Sequence, residues 1–210
     1  MKLTIKICGI RRSEDVEILN QYPPDYAGFI CSKPFWRYVS PEQLKSLHQN
    51  LNKHIRRVGV FVNPTIEEIL AYADWLDVIQ LHGEENADFI KQIWENVWSV
   101  QIWKAVRVRT AEDIANADKL PLDRLVLDSF SAISQGGTGT LAPWDIITNN
   151  RPTKPFFLAG GISAENAVDA VKAVNPFGID VSSSVETDKC KDPEKIRVLT
   201  ETIKNFEKEG

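Results

Sequence analysis

Short runs rich in apolar and β-branched residues alternate along this chain with segments whose apolar residues fall three and four apart. Such alternation is the pattern of repeated strand–helix units. The runs recur at intervals of roughly 21 to 32 residues, at 3–8, 27–31, 57–62, 78–81, 100–106, 124–127, 155–159 and 178–181. Several, most clearly Val58-Gly59-Val60-Phe61-Val62, are almost continuously apolar. That suits strands covered on both faces in a parallel sheet better than half-exposed antiparallel ones.

The intervening helices carry start signals. Ser40-Pro41-Glu42-Gln43 supplies an N-cap, a first-turn proline and a capping-box glutamine ahead of Leu44, Leu47 and Leu51 on one face. Thr65-Ile66-Glu67-Glu68 repeats the box, and Ser163 precedes a stripe of Val168, Val171 and Val174. Asp192-Pro193 opens a last helix with Ile196, Leu199, Ile203 and Phe206 inward. Weaker starts lie near Ser13, Asn86, Thr110 and Pro143.

Eight strand–helix units in 210 residues predict a (β/α)8 TIM barrel of the short kind, one compact domain over residues 1–210. An open doubly wound sheet is the rival. It typically has five or six strands, and no G-x-G-x-x-G follows the first strand here.

Composition narrows the partners. The chain is 43% hydrophobic and 26% charged, with 25 basic against 29 acidic residues and a net charge of −4. It is therefore globular, and it lacks the basic footprint expected for nucleic acid or an anionic membrane. No stretch has the length of apolar residues that spans a bilayer, and no signal peptide is expected. Cys8, Cys31 and Cys190 are odd in number and widely spaced, which favours a reducing compartment and a cytoplasmic location. His82 stands apart from His48 and His54, so no metal ligand set is expected.

In such a barrel the C-terminal strand ends converge on one mouth, where function is sought. Reading each strand to its end collects Cys8-Gly9, Ser32 to Arg37, Gln80-Leu81-His82-Gly83, Asp128-Ser129, Gly160-Gly161 and Ser182-Ser183-Ser184. The last two loops suit a phosphate, because glycines allow close backbone approach and serines add donors after strands seven and eight. Taken singly, each also serves as a plain turn or cap. Cys8 is a candidate base if a cation lowers its pKa, although a free cysteine is commonly a small buried hydrophobe. Asp128 is a candidate acid whose carboxyl is expected to be poorly solvated with a raised pKa; a capping or salt-bridged aspartate is the alternative. Arg37, beyond Pro34-Phe35-Trp36, is either a solvated arginine or a fork for a substrate carboxylate. Gly136-Gly137-Thr138-Gly139 suits a loop that closes over the mouth.

These residues, in this order, resemble the phosphoribosylanthranilate isomerase family of tryptophan biosynthesis. The resemblance runs from Lys6-Ile7-Cys8-Gly9-Ile10 through Arg37-Tyr38, Val58 to Asn63, Gln80-Leu81-His82-Gly83-Glu84-Glu85, Leu127-Asp128, the glycine-rich loop and Gly160-Gly161 to Asp180-Val181-Ser182-Ser183. It implies a cofactor-free Amadori rearrangement of an aminoaldose phosphate to an aminoketose phosphate. On that resemblance Asp128 is the acid and Cys8 the base. Arg37 receives the anthranilate carboxylate, His82 and Asp180 line the pocket, and Gly160, Gly161, Ser182, Ser183 and Ser184 surround the phosphate.

The chain departs from the family pattern at Ser184, where glycine is usual, and at Thr140, where lysine is usual. A serine would be strained at position 184 if that position required positive φ. Rival phosphosugar barrels fit less well: the histidine-pathway isomerase resembles a two-aspartate pattern with two phosphate sites, and an epimerase wants metal-ligand histidines. A phosphometabolite-binding protein without turnover is the rival from another class. The expected partner is a small phosphoribosyl molecule, with no cofactor, and the chain is expected to be a monomer.

Overall fold

The computed structural model describes residues 2–128 and 143–209. Eight parallel strands, β1 (Thr4–Cys8), β2 (Tyr26–Ile30), β3 (Arg56–Phe61), β4 (Val78–Leu81), β5 (Gln101–Arg107), β6 (Arg124–Asp128), β7 (Phe156–Ala159) and β8 (Gly178–Val181), close into a barrel in sequence order. Closure is between β1 and β8, with Lys6 paired to Asp180 and Ile7 to Val181. Helices α1 (Ser13–Gln21), α2 (Pro41–Asn50), α3 (Ile66–Leu70), α4 (Ala87–Asn96), α5 (Ala111–Asp118), α6 (Pro143–Asn149), α7 (Ala167–Val174) and α8 (Pro193–Glu209) alternate with the strands. After β8 comes a small antiparallel hairpin, β9 (Glu186–Thr187) with β10 (Cys190–Lys191), which the hydrophobic pattern does not foreshadow.

The strand runs are largely apolar on both faces because both are covered. Ile5, Ile7, Ala27, Phe29, Ile79, Leu81, Leu125 and Leu127 pack outward against the helices. Val58, Val60, Val78, Ala105 and Val126 fill the interior. Lower in the barrel Tyr26, Trp103 and Phe157 pack as an aromatic plug, with ring centroids 4.8–5.7 Å apart. The barrel is thus a filled core, and open space for chemistry is left only at its ends. At the N-terminal end one device recurs. Asp25, Asp77 and Asp123, each just before an even-numbered strand, accept the N–H of the second residue of the strand before it, from Ile5 at 2.9 Å, Arg57 at 2.7 Å and Ile102 at 2.7 Å.

Most helix starts stand where the capping residues predict them. Thr65 with Glu68 and Thr110 with Asp113 form reciprocal boxes, and Asn86 caps α4. Ser40 accepts from the Gln43 N–H at 3.2 Å, but the Gln43 side chain turns away to the Arg11 carbonyl. The seventh helix differs from expectation: it begins at Ala167 with Asn166 at its cap, four residues after Ser163. Asn166 explains the delay. Its side chain accepts from the Ser163 N–H and donates to the Gly161 carbonyl, both at 2.9 Å, so the chain completes a turn before winding. The buried stripe is accordingly Ala167, Ala170, Val171 and Val174, with Val168 only partly covered.

Candidate active site

Cys8 is the last residue of β1, and its side chain lies among the interior cluster. Gly28 on the neighbouring strand pairs with it in register and leaves room for the thiol. Two residues along β1, and therefore on the same face, Lys6 is wholly buried and donates to Asp180 Oδ2 at 2.7 Å. Asp180 Oδ1 is buried and makes no hydrogen bond to the described residues. Burial works against the Lys6 ammonium, but Asp180 and Cys8 outweigh it, so its pKa stands above the ordinary value and the charge is retained. Burial pushes the Cys8 thiol up and Asp180 adds to the rise, while Lys6 and Lys191 oppose it. Cys8 is therefore held as a thiol beside two cations.

Asp128 ends β6, opposite Arg107 and Ala159 in the ladder. His82 follows β4 with its N–H bonded to the Phe61 carbonyl at 2.8 Å. Its imidazole pKa is lowered, first by desolvation and then by Lys6, with Asp128 and Asp180 opposing. His82 is thus neutral near pH 7 and in electrical contact with four groups from four other strands, Lys6, Asp128, Asp180 and Lys104. Behind it, buried Lys104 of β5 donates to Glu85 at 2.6 Å, and Glu85 accepts from the Asn63 and Gly83 N–H groups, pinning the β3 and β4 loops together.

Arg37 lies in the loop after β2. Its Nε and Nη2 both donate to Glu186, at 3.1 and 2.6 Å, and its guanidinium lies 4.1 Å from the centre of the Trp36 ring. The close packing of Arg37 on Gly9 leaves no room for a side chain at position 9, where φ is +87°. After β7, Gly160 and Gly161 adopt φ of +87° and +72°, a conformation only glycine takes without strain. After β8, the Ser182 hydroxyl donates to the Cys8 carbonyl at 3.1 Å, and Ser183–Val185 form a single 3-10 turn. Ser184 is absent from the positive-φ residues, so serine there carries no backbone strain.

The mouth therefore gathers Cys8, Arg37, His82, Asp128, Asp180, Gly160, Gly161 and Ser182 to Ser184 at the ends of six strands. Ser129, the glycine-rich run Gly136 to Gly139 and Thr140 lie outside the described residues. Three groups escaped the sequence reading. Lys6 could have been found, since it shares a strand face with Cys8. Glu186 and Lys191, on the hairpin, carry no periodic signal. A groove of about 650 Å³ lined by Lys2, Leu3, Val171, Lys172, Phe206 and Glu207 lies at the opposite end of the barrel and holds no such cluster.

Fold and mouth together define a protein of the (β/α)8-barrel enzyme class, with a cluster of ionisable side chains and glycine- and serine-bearing loops at the C-terminal strand ends. Residues 5–202 match the family model described as N-(5′-phosphoribosyl)anthranilate isomerase. The chain belongs to that family. It is 37% identical over 206 residues to the isomerase of Clostridium acetobutylicum, covering 96% of this chain and 98% of the relative. A crystal structure of phosphoribosylanthranilate isomerase in complex with reduced 1-(o-carboxyphenylamino)-1-deoxyribulose 5-phosphate superimposes with a TM-score of 0.82 at 32% identity, over 97% of this chain and 99% of the other. Monomers generated from the dimeric isomerase of Thermotoga maritima superimpose with a TM-score of 0.80 at 33% identity, over the same shares of the two chains.

Proposed function

We propose that this chain converts N-(5′-phosphoribosyl)anthranilate to 1-(2-carboxyphenylamino)-1-deoxyribulose 5-phosphate by acid–base catalysis, with Asp128 as acid and Cys8 as base. The observation that carries the reading is the convergence of a thiol, a carboxyl group and an arginine fork on one barrel mouth, beside two loops suited to phosphate. Asp128 gives a proton to the departing ring oxygen while the nitrogen lone pair forms an iminium at C1′. The iminium acidifies the C2′ proton, which Cys8 removes as thiolate to leave an enolamine. Protonation at C1′ and loss of the C2′ hydroxyl proton give the ketose, so substrate and product are isomers. Lys6 and Lys191 supply the positive field that favours the thiolate against burial. Arg37 takes the carboxylate, His82 and Asp180 line the sugar, and Gly160, Gly161 and Ser182 to Ser184 hold the phosphate.

The test supplies freshly made phosphoribosylanthranilate and follows loss of its fluorescence, with the product identified by mass and chromatography. Signal loss matching the appearance of the aminoketose supports the reading, and binding without turnover overturns it. We further assign the enzyme as a monomer in the cytoplasm; three cysteines that are all free support the location. Sedimentation at the mass of two chains would correct the first assignment.

A further inference from the structure

Two charged residues of the β9–β10 hairpin, both with buried side chains, touch no reacting atom in the chemistry above, where Lys191 enters only through its field. Lys191 has a side chain only 1% exposed, and its Nζ donates to the Cys8 carbonyl at 2.6 Å, the Ser182 carbonyl at 3.1 Å and Glu186 Oε1 at 2.8 Å. Its three donors are thus all used. Glu186 is 7% exposed and also accepts the Nε and Nη2 donors of Arg37. The Ser182 hydroxyl adds its own bond to the Cys8 carbonyl. One continuous network therefore joins the residue carrying the base, the first serine after β8 and the arginine fork.

We propose that Glu186 and Lys191 are positioning residues, which together fix the distance and angle between the thiol of Cys8 and the carboxylate-binding edge of Arg37. The proposal rests on the reading of Cys8 and Arg37 given above. A guanidinium has five N–H donors, and the Glu186 carboxylate occupies the edge made by Nε and Nη2. Among the described residues Nη1 makes no hydrogen bond, so the remaining Nη1–Nη2 edge is left for a second carboxylate. Glu186 thus selects which edge faces the substrate, and Trp36 behind the plane keeps it from tilting. The cluster of Arg37, Glu186 and Lys191 keeps a net charge of +1, so it still attracts an anion. Lys191, clamped to the carbonyls that end β1 and follow β8, fixes the backbone from which the thiol projects. Burial and Arg37 lower the Lys191 pKa against Glu186 and Cys8, and Glu186 stays below the ordinary carboxylate range because the bonds from Arg37 and Lys191 outweigh its burial.

The test compares Glu186→Gln, Lys191→Met and the double variant with the parent and with Cys8→Ser, all checked for folding by circular dichroism and thermal melting. Glu186→Gln should raise KM about tenfold while changing kcat less than about threefold, because it loosens the fork that binds the carboxylate. Lys191→Met should lower kcat about tenfold and move the limb of the pH profile belonging to Cys8 to higher pH, a shift that mere loss of stability does not produce. The double variant leaves neither charge stranded and should combine the raised KM with the lowered kcat. Parental KM, kcat and pH limbs in folded variants, with Cys8→Ser inactive beside them, would overturn the proposal. A double variant that does not fold would overturn it too, by making the network a requirement of the barrel. Full turnover by Cys8→Ser would instead remove the underlying reading of the base.

Discussion

A single methyl group placed on β2 should disable the enzyme without replacing any side chain proposed to react. Gly28 faces Cys8 across the β1–β2 ladder, and a Cβ there would lie 2.7 Å from Cys8 Sγ, 3.1 Å from its Cα and 3.2 Å from its Cβ. Non-bonded heavy atoms settle about 3.5–4.0 Å apart, so the thiol must move by about 1 Å. Rotating the side chain does not suffice, because one of the clashing atoms belongs to the β1 backbone. The Gly28 carbonyl also accepts from the Gly9 and Ile10 N–H groups, both at 2.9 Å, so separating the strands disturbs the turn beneath Arg37 as well. Misplacing a reacting group by about 1 Å costs on the order of a hundredfold in rate. Stability should fall less dramatically: overpacking costs about 1–3 kcal/mol, and Gly28 has no positive φ to be strained by alanine. The assay is kcat for Gly28→Ala by fluorescence, beside product-analogue affinity and the thermal midpoint. A folded variant with kcat within about threefold of the parent would refute the placement of the Cys8 thiol as the base.

Cys8→Ser and Asp128→Asn should each lower turnover by at least about a hundredfold with product-analogue affinity largely kept; near-parental turnover in either removes that residue from the mechanism. Asp180→Asn leaves the buried Lys6 ammonium without its charged partner and should cost about 3–5 kcal/mol in a urea titration, most of it recovered by adding Lys6→Met. A loss below about 1 kcal/mol would contradict the buried pair. His82 and His48 both have lowered pKa values, chiefly from desolvation. A histidine of this kind stabilises the fold above its unfolded pKa and loses that contribution as pH falls through its folded pKa. The thermal midpoint should therefore drop on acidification below about pH 6.5, and the drop should be smaller in His48→Asn/His82→Asn, where an unchanged slope would assign it elsewhere.

The barrel and most of the candidate residues at its rim are legible in the amino-acid sequence. Strands of a parallel barrel are buried on both faces, so their apolar runs stand out. Val78–Leu81 and Gly178–Val181 were legible to the residue, and the capping boxes at Thr65 and Thr110 are local hydrogen bonds that neighbouring residues alone can write. Candidate residues followed because barrel topology sends every strand end to the same mouth. What each of them touches is set only when the chain is folded. Asn166 moved the start of α7 by bonding back to Gly161, across a turn that no periodicity marks. Lys6 found Asp180 across 174 residues, Arg37 found Glu186 across 149, and Lys191 reached Cys8 across 183. The three aspartates that fasten the N-terminal end work at separations of 20 or 21 residues, set by the length of a strand–helix unit. A hydrophobic run is a property of adjacent residues and survives in the sequence. A buried ion pair is a property of two distant positions that meet only after the barrel closes, where desolvation lets each charge keep its ionisation only beside the other.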